Sequence, residues 1–241
     1  NAGRDGYGTI TSPGNSRKVI TVGSVTTWGD TDPANDVVST YSSRGPTRID
    51  RFVKPDLLAH GNRVISINAA NSYLNTQETA NLIKAPGAKT FDYYQLSGSS
   101  MAAAVVTGAV ALMLEKDPSL TPNTIKARLM RTATKVDFAD VFATGAGVLN
   151  IQAALNSPVT AAQAPSPKVT RNTGNGRMGF EETSRLWNNS QLALGYLWSD
   201  SLHWYSANVD GNGYLWSDGY LWSDGYLWSD GYLWSDRNSW S

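Results

Sequence analysis

The run Ser97-Gly98-Ser99-Ser100 stops abruptly at Met101, where a small apolar stretch, AAAVVTGAVALML, begins. Gly98 lets the backbone turn tightly, and Ser99 or Ser100 can cap a helix that starts near Met101. Ala102, Ala103 and Ala104 leave room for another backbone or a substrate to approach. A hydroxyl at that point sits in the positive field of a helix start, among N–H groups with no partner inside the helix. Such a place suits a nucleophile and the oxyanion that forms when it attacks a carbonyl. Two readings follow from these residues alone: a plain N-cap and an activated serine. An activated serine needs a base, and the chain holds two histidines, His60 in a turn and His203 in an aromatic repeat. There are no cysteines, which excludes disulfides, thiolate metal sites and a Cys nucleophile but leaves the compartment open.

The elements that would position Ser100 read as strands alternating with helices. Lys18–Val25 (KVITVGSV) and Arg63–Asn68 (RVISIN) have the β-branched content of strands bounded by turn residues. Met101–Lys116 is apolar nearly all round and ends before Asp117-Pro118, so a core helix is expected. Thr121-Pro122 offers an N-cap and a first-turn proline for a second helix. There Ile125, Leu129, Met130 and Ala133 take one side, and Lys126, Arg128 and Arg131 the other. This alternation predicts an α/β domain with a mostly parallel sheet over residues 1–155. The proline-bearing stretch 156–190, with Pro158, Pro165 and Pro167, reads as a linker or an extended surface segment.

From residue 191 to 241 a hexad dominates. GYLWSD stands at 195–200, 213–218, 219–224, 225–230 and 231–236, and Trp204 and Trp240 keep its phase while Asp210 breaks it. A period of six with a Gly in each unit does not suit a helix, whereas Asp-Gly between short aromatic runs is a hairpin signal. A meander and a solenoid both fit, and either makes this a β-rich tail. Its six aspartates read as turn chemistry or as oxygen ligands for calcium. Its Tyr and Trp rows read as a contact surface for carbohydrate, protein or a second copy of the chain. The formal net charge of zero argues against nucleic acid as a partner. No apolar run reaches the roughly 20 residues of a membrane span. Nothing at the first residues has the form of a signal peptide.

Four segments, in order, resemble those of the subtilisin-like serine peptidases. Gly98-Ser99-Ser100-Met101-Ala102 is similar to the family's Gly-Thr-Ser-Met-Ala, and Tyr41-Ser42-Ser43-Arg44-Gly45-Pro46 to its Phe-Ser-Ser-Arg-Gly-Pro. Lys54-Pro55-Asp56-Leu57-Leu58-Ala59-His60-Gly61 resembles Lys-Pro-Asp-Leu-x-Ala-Pro-Gly, and Ser12-Pro13-Gly14 with Val19–Gly23 resembles a family turn and strand. The resemblance implies part of a three-layer α/β/α domain, with Ser100 as nucleophile and Asn1 helping to hold the oxyanion. A second alignment puts Arg4 there; the amide of Asn1 is preferred because it adds no mobile full charge. Ala104 and His60 both stand where the family has proline. The family's catalytic Asp and His contexts are not found, and neither His60 nor His203 has the His-Gly-Thr-His setting. The expectation is therefore a nucleophile-bearing C-terminal half that is nearly inactive alone, with an N-terminal half supplying Asp and His. The resemblance also implies an extracellular endopeptidase acting on peptides or proteins. Its chemistry needs no cofactor, and structural calcium is compatible with it. The other reading is a non-catalytic assembly or binding protein that uses a degenerate peptidase fold as a scaffold for the repeats.

Overall fold

A computed structural model of the chain describes residues 6–30, 32, 35–136, 141–171, 178–181 and 186–187. Asn1, Arg4, His203 and all the hexads lie outside these residues, and so does the expected β-rich tail.

Strand β1, Val22–Thr26, is the centre of the main sheet. It pairs with β2, Val37–Val38, antiparallel, and with β3, Leu57–His60, parallel, from Val22↔Leu57 to Val25↔His60. The strand expected from Lys18 begins only at Val22, because side chains take the backbone groups before it. The Thr21 N–H donates to Asp56 Oδ2 at 2.7 Å, and the Val19 carbonyl accepts from Lys54 and Lys126 Nζ at 3.1 and 2.9 Å. A backbone group so occupied is lost to the ladder.

Alternation along β3 gives the sheet two faces. Leu57 and Ala59 pack with Ala102, Val106, Ala109 and Met113 of α2, Ser99–Lys116. The same cluster takes in Ile125 and Leu129 of α3, Pro122–Thr132, and Ala154 of α5, Ile151–Leu155. Leu58 points the other way, packing with Val25, Val38 and Ala143. Ala143 belongs to α4, Val141–Thr144, a single turn. Among the described residues this turn covers the second face of the sheet, where a three-layer domain has full helices. The expected mostly parallel sheet is present only as β1/β3 and a parallel bridge from Leu58 to Val148; the remaining described pairs are antiparallel.

The second expected strand forms as β4, Val64–Ile67, but in a separate antiparallel sheet. The chain leaves β4 through α1, Tyr73–Gln77, and returns as β5, Leu82–Ile83, and β6, Tyr93–Leu96, giving the order β4-β6-β5. β6 then delivers the chain to the start of α2.

The buried residues of α2 follow a 4-3-4 spacing, a single stripe turned toward β1 and β3. Leu112 and Leu114, on the other side, are exposed, so the expected core helix is buried along one face only. By length and composition α2 is apolar enough to cross a membrane; here its stripe packs on the sheet. At α3, Thr121 is the N-cap, its hydroxyl accepting from Thr124 N at 3.2 Å, and Pro122 is the first helical residue.

Candidate active site

α2 starts two residues earlier than Met101. Its N-cap is Gly98, and no side chain caps it. The hydroxyl of Ser100, one of two expected caps, is therefore not used in that way. Ser100 is exposed, and among the described residues its hydroxyl has no hydrogen-bond partner. Met101 and Ala102 N–H groups turn back to the Gly98 carbonyl at 3.0 and 3.3 Å. The N–H of Ser100 bonds to no described residue, so hydroxyl and N–H stand together at the positive end of an 18-residue helix.

What holds that end in place is backbone. Gly98 N donates to the Gly61 carbonyl at 2.8 Å, joining the helix start to the residue just after β3. Gly61 has no room for a side chain: a Cβ there would stand 2.5 Å from Ser24 Oγ, 2.7 Å from the Gly98 carbonyl and 3.0 Å from the Ala102 methyl. The same Gly61 carbonyl accepts the Tyr41 hydroxyl at 3.0 Å. Behind it, Tyr41 Oη lies 3.1 Å from Ser24 Oγ, which lies 2.9 Å from Ser39 Oγ, which lies 2.9 Å from Thr26 Oγ1.

His60, expected in a surface turn, is the half-buried last residue of β3, and its Nδ1 is 3.2 Å from Thr27 Oγ1. It faces the loop that carries Asp36. Burial, then the Asp30 and Asp32 carboxylates, push the Asp36 carboxyl up, and His60 works against them. Thus the imidazole is engaged with Thr27 and this loop. Beside the turn that carries Ser100, an apolar groove of about 520 Å³ runs between β4, β6 and α2; Val64, Leu96, Met101, Ala104 and Val105 line it. Among the described residues no three acidic or histidine side chains gather as metal ligands.

The model of the Subtilase family, Peptidase S8, matches residues 1–176. The chain belongs to the subtilase family. It is 37% identical over 152 residues to the serine protease AprX of Bacillus subtilis (strain 168), covering 63% of this chain and 33% of AprX. It is 35% identical over 127 residues to the subtilisin-like protease SBT1.9 of Arabidopsis thaliana, covering 52% of this chain and 16% of that one. Among solved structures it is similar to fervidolysin from Fervidobacterium pennivorans, a keratinolytic enzyme related to subtilisin, with 26% identity and a TM-score of 0.47. That match covers 70% of this chain and 26% of fervidolysin. The chain thus spans a third or less of the length of these relatives.

Below the site, this subtilase has a buried ionic cluster that helical spacing misassigned. Lys126, expected on the solvent side of α3, is buried, as are Lys54 and Asp56. The Asp56 carboxylate accepts from Lys54 Nζ at 2.8 Å, Ser166 Oγ at 2.6 Å and Thr21 N at 2.7 Å, and Lys126 Nζ stands 3.0 Å away. Burial alone would raise the carboxyl; the Lys126 and Lys54 ammonium groups, with the hydrogen bonds from Lys54 and Ser166, hold it below its usual range. Burial pushes Lys126 down to about 8, against the pull of Asp56. Ser166 belongs to the stretch expected as a linker or extended surface segment. The described part of that stretch is docked against the domain. Val53 N donates to the Pro167 carbonyl, Val169 N to that of Arg51, and the buried Trp187 donates Nε1 to the Pro165 carbonyl at 2.7 Å.

Proposed function

We propose that this chain carries the nucleophile of a subtilisin-like serine endopeptidase. The observation that supports it is the exposed hydroxyl of Ser100, used by no cap, beside its own N–H at the start of α2. Ser100 Oγ attacks the peptide carbonyl and gives its proton to an imidazole. The carbonyl oxygen takes the charge and is met by the Ser100 N–H and the side-chain amide of Asn1. The imidazole returns the proton to the leaving amine, and water then releases the acyl group by the same steps in reverse. We assign the imidazole and its carboxylate to a segment outside these 241 residues, because His60 is engaged with Thr27 and His203 lies in the repeat. Peptides or proteins are the substrates, the setting is extracellular, and calcium, if bound, is structural. The GYLWSD repeats serve self-association.

A serine-directed fluorophosphonate tests the assignment. In the full-length protein it labels Ser100, and Ser100→Ala removes the label. The 241-residue chain by itself labels far more slowly, because losing a triad base costs several powers of ten. Rapid labelling of the chain alone refutes the external imidazole; full labelling of Ser100→Ala refutes the nucleophile.

A further inference from the structure

We propose that Tyr41 is a positioning residue for Ser100, acting through the Gly61 carbonyl. This rests on the reading of Ser100 as nucleophile. The start of α2 has no side-chain cap, so its location depends on Gly98, and Gly98 depends on its bond to Gly61. The Gly61 carbonyl has two lone pairs and two donors, the Gly98 N–H at 2.8 Å and the Tyr41 hydroxyl at 3.0 Å. Removing the phenol therefore leaves one lone pair unmet and one direction of pull on that carbonyl.

The direction of the whole chain of hydroxyls follows from its end. A carbonyl only accepts, so Tyr41 must donate to it. Ser24 Oγ then donates to Tyr41 Oη, Ser39 Oγ to Ser24 and Thr26 Oγ1 to Ser39. Ser24, Thr26 and Ser39 are buried, where such aligned bonds reinforce one another. The chain starts in β1, crosses to the segment after β2 and ends on the residue that holds the nucleophile turn. The subtilase segment that Tyr41 resembles carries phenylalanine at this position. The hydroxyl is thus an addition to the motif, and Phe is a shape-conserving replacement that the fold accommodates.

The test compares the parent, Tyr41→Phe, Ser39→Ala and Ser100→Ala in the full-length protein. Fluorophosphonate labelling is measured over a range of probe concentrations, to separate the rate constant at saturation from the reversible affinity. Tyr41→Phe lowers the rate constant about fivefold, the worth of one neutral hydrogen bond, and leaves the affinity unchanged. Ser39→Ala, two links away, lowers it about twofold. Thermal melting of each variant shows that it is folded at the assay temperature. If Tyr41→Phe matches the parent rate constant while Ser100→Ala is blank, or if the variants shift only the melting temperature, the positioning role is overturned. Full labelling of Ser100→Ala instead overturns the nucleophile assignment and this role with it.

Discussion

Replacing Asp56 by asparagine keeps the shape of the side chain and removes one charge from a place where no water compensates. In the native cluster a single carboxylate faces two ammonium groups, and all three side chains are buried. The carboxylate accepts from Thr21 N, Lys54 Nζ and Ser166 Oγ, with Lys126 Nζ within 3.0 Å. An amide offers one oxygen and turns two N–H donors toward the same lysines, so about half of these contacts are lost or reversed. Leaving buried charge uncompensated costs about 3–5 kcal/mol. At roughly 2–4 °C per kcal/mol for a domain of this size, Asp56→Asn lowers the melting temperature by about 6–20 °C. Urea unfolding followed by far-UV circular dichroism is the assay, with the midpoint falling and the slope unchanged. A second variant isolates the cause. Asp56→Leu combined with Lys54→Met and Lys126→Met removes charge and partners together and costs much less than Asp56→Asn, since a packed apolar replacement of a buried ion cluster is often near neutral. A loss below about 1 kcal/mol in Asp56→Asn, or a triple variant as unstable as the single one, refutes the reasoning.

The same cluster gives a pH dependence of definite sign. Lys126 is held at about 8 in the folded chain against 10.5 for an ordinary lysine, so between those values the unfolded state binds more protons and stability rises with pH. The urea midpoint of the parent increases from pH 8 to pH 10; that of Lys126→Met lacks this increment, and equal slopes in the two proteins refute the assignment. At the site, Gly61→Ala forces a methyl within 3.0 Å of Ser24, Gly98 and Ala102 at once. It slows labelling of Ser100 at least tenfold and lowers the melting temperature, whereas a variant that labels at the parent rate shows that the turn is not held there.

The change from polar turn to helix at residues 97–101 was legible because its neighbours in sequence are its neighbours in space: Gly98, Ser100 and Met101 share one turn. Thr121-Pro122 was legible for the same reason, a cap being a bond across three residues. Partners distant in sequence were not. Lys126 looked solvent-facing because helical spacing sees only its own helix, while its carboxylate lies 70 residues earlier and its hydroxyl 40 residues later. The late start of β1 has the same origin, since side chains from Lys54, Asp56 and Lys126 occupy the backbone around Val19–Thr21. The stretch after 155 read as linker or surface segment on its prolines. Prolines set an extended path but say nothing about what the path crosses. The role of the Tyr41 hydroxyl was not legible either, because only the fold brings Gly61 within its reach.

Trp187 and Pro165 bear on how the molecule can be cut. A boundary drawn where the prolines begin discards Ser166, whose hydroxyl donates to Asp56 and whose N–H donates to the Arg17 carbonyl, and strips the strand-like pairing from Val53 and Arg51. Truncation at residue 155 therefore unravels the base of the fold although it leaves Ser100 and the whole of α2 in the chain. A shortened protein that keeps this belt must reach past the Trp187 indole that seals it.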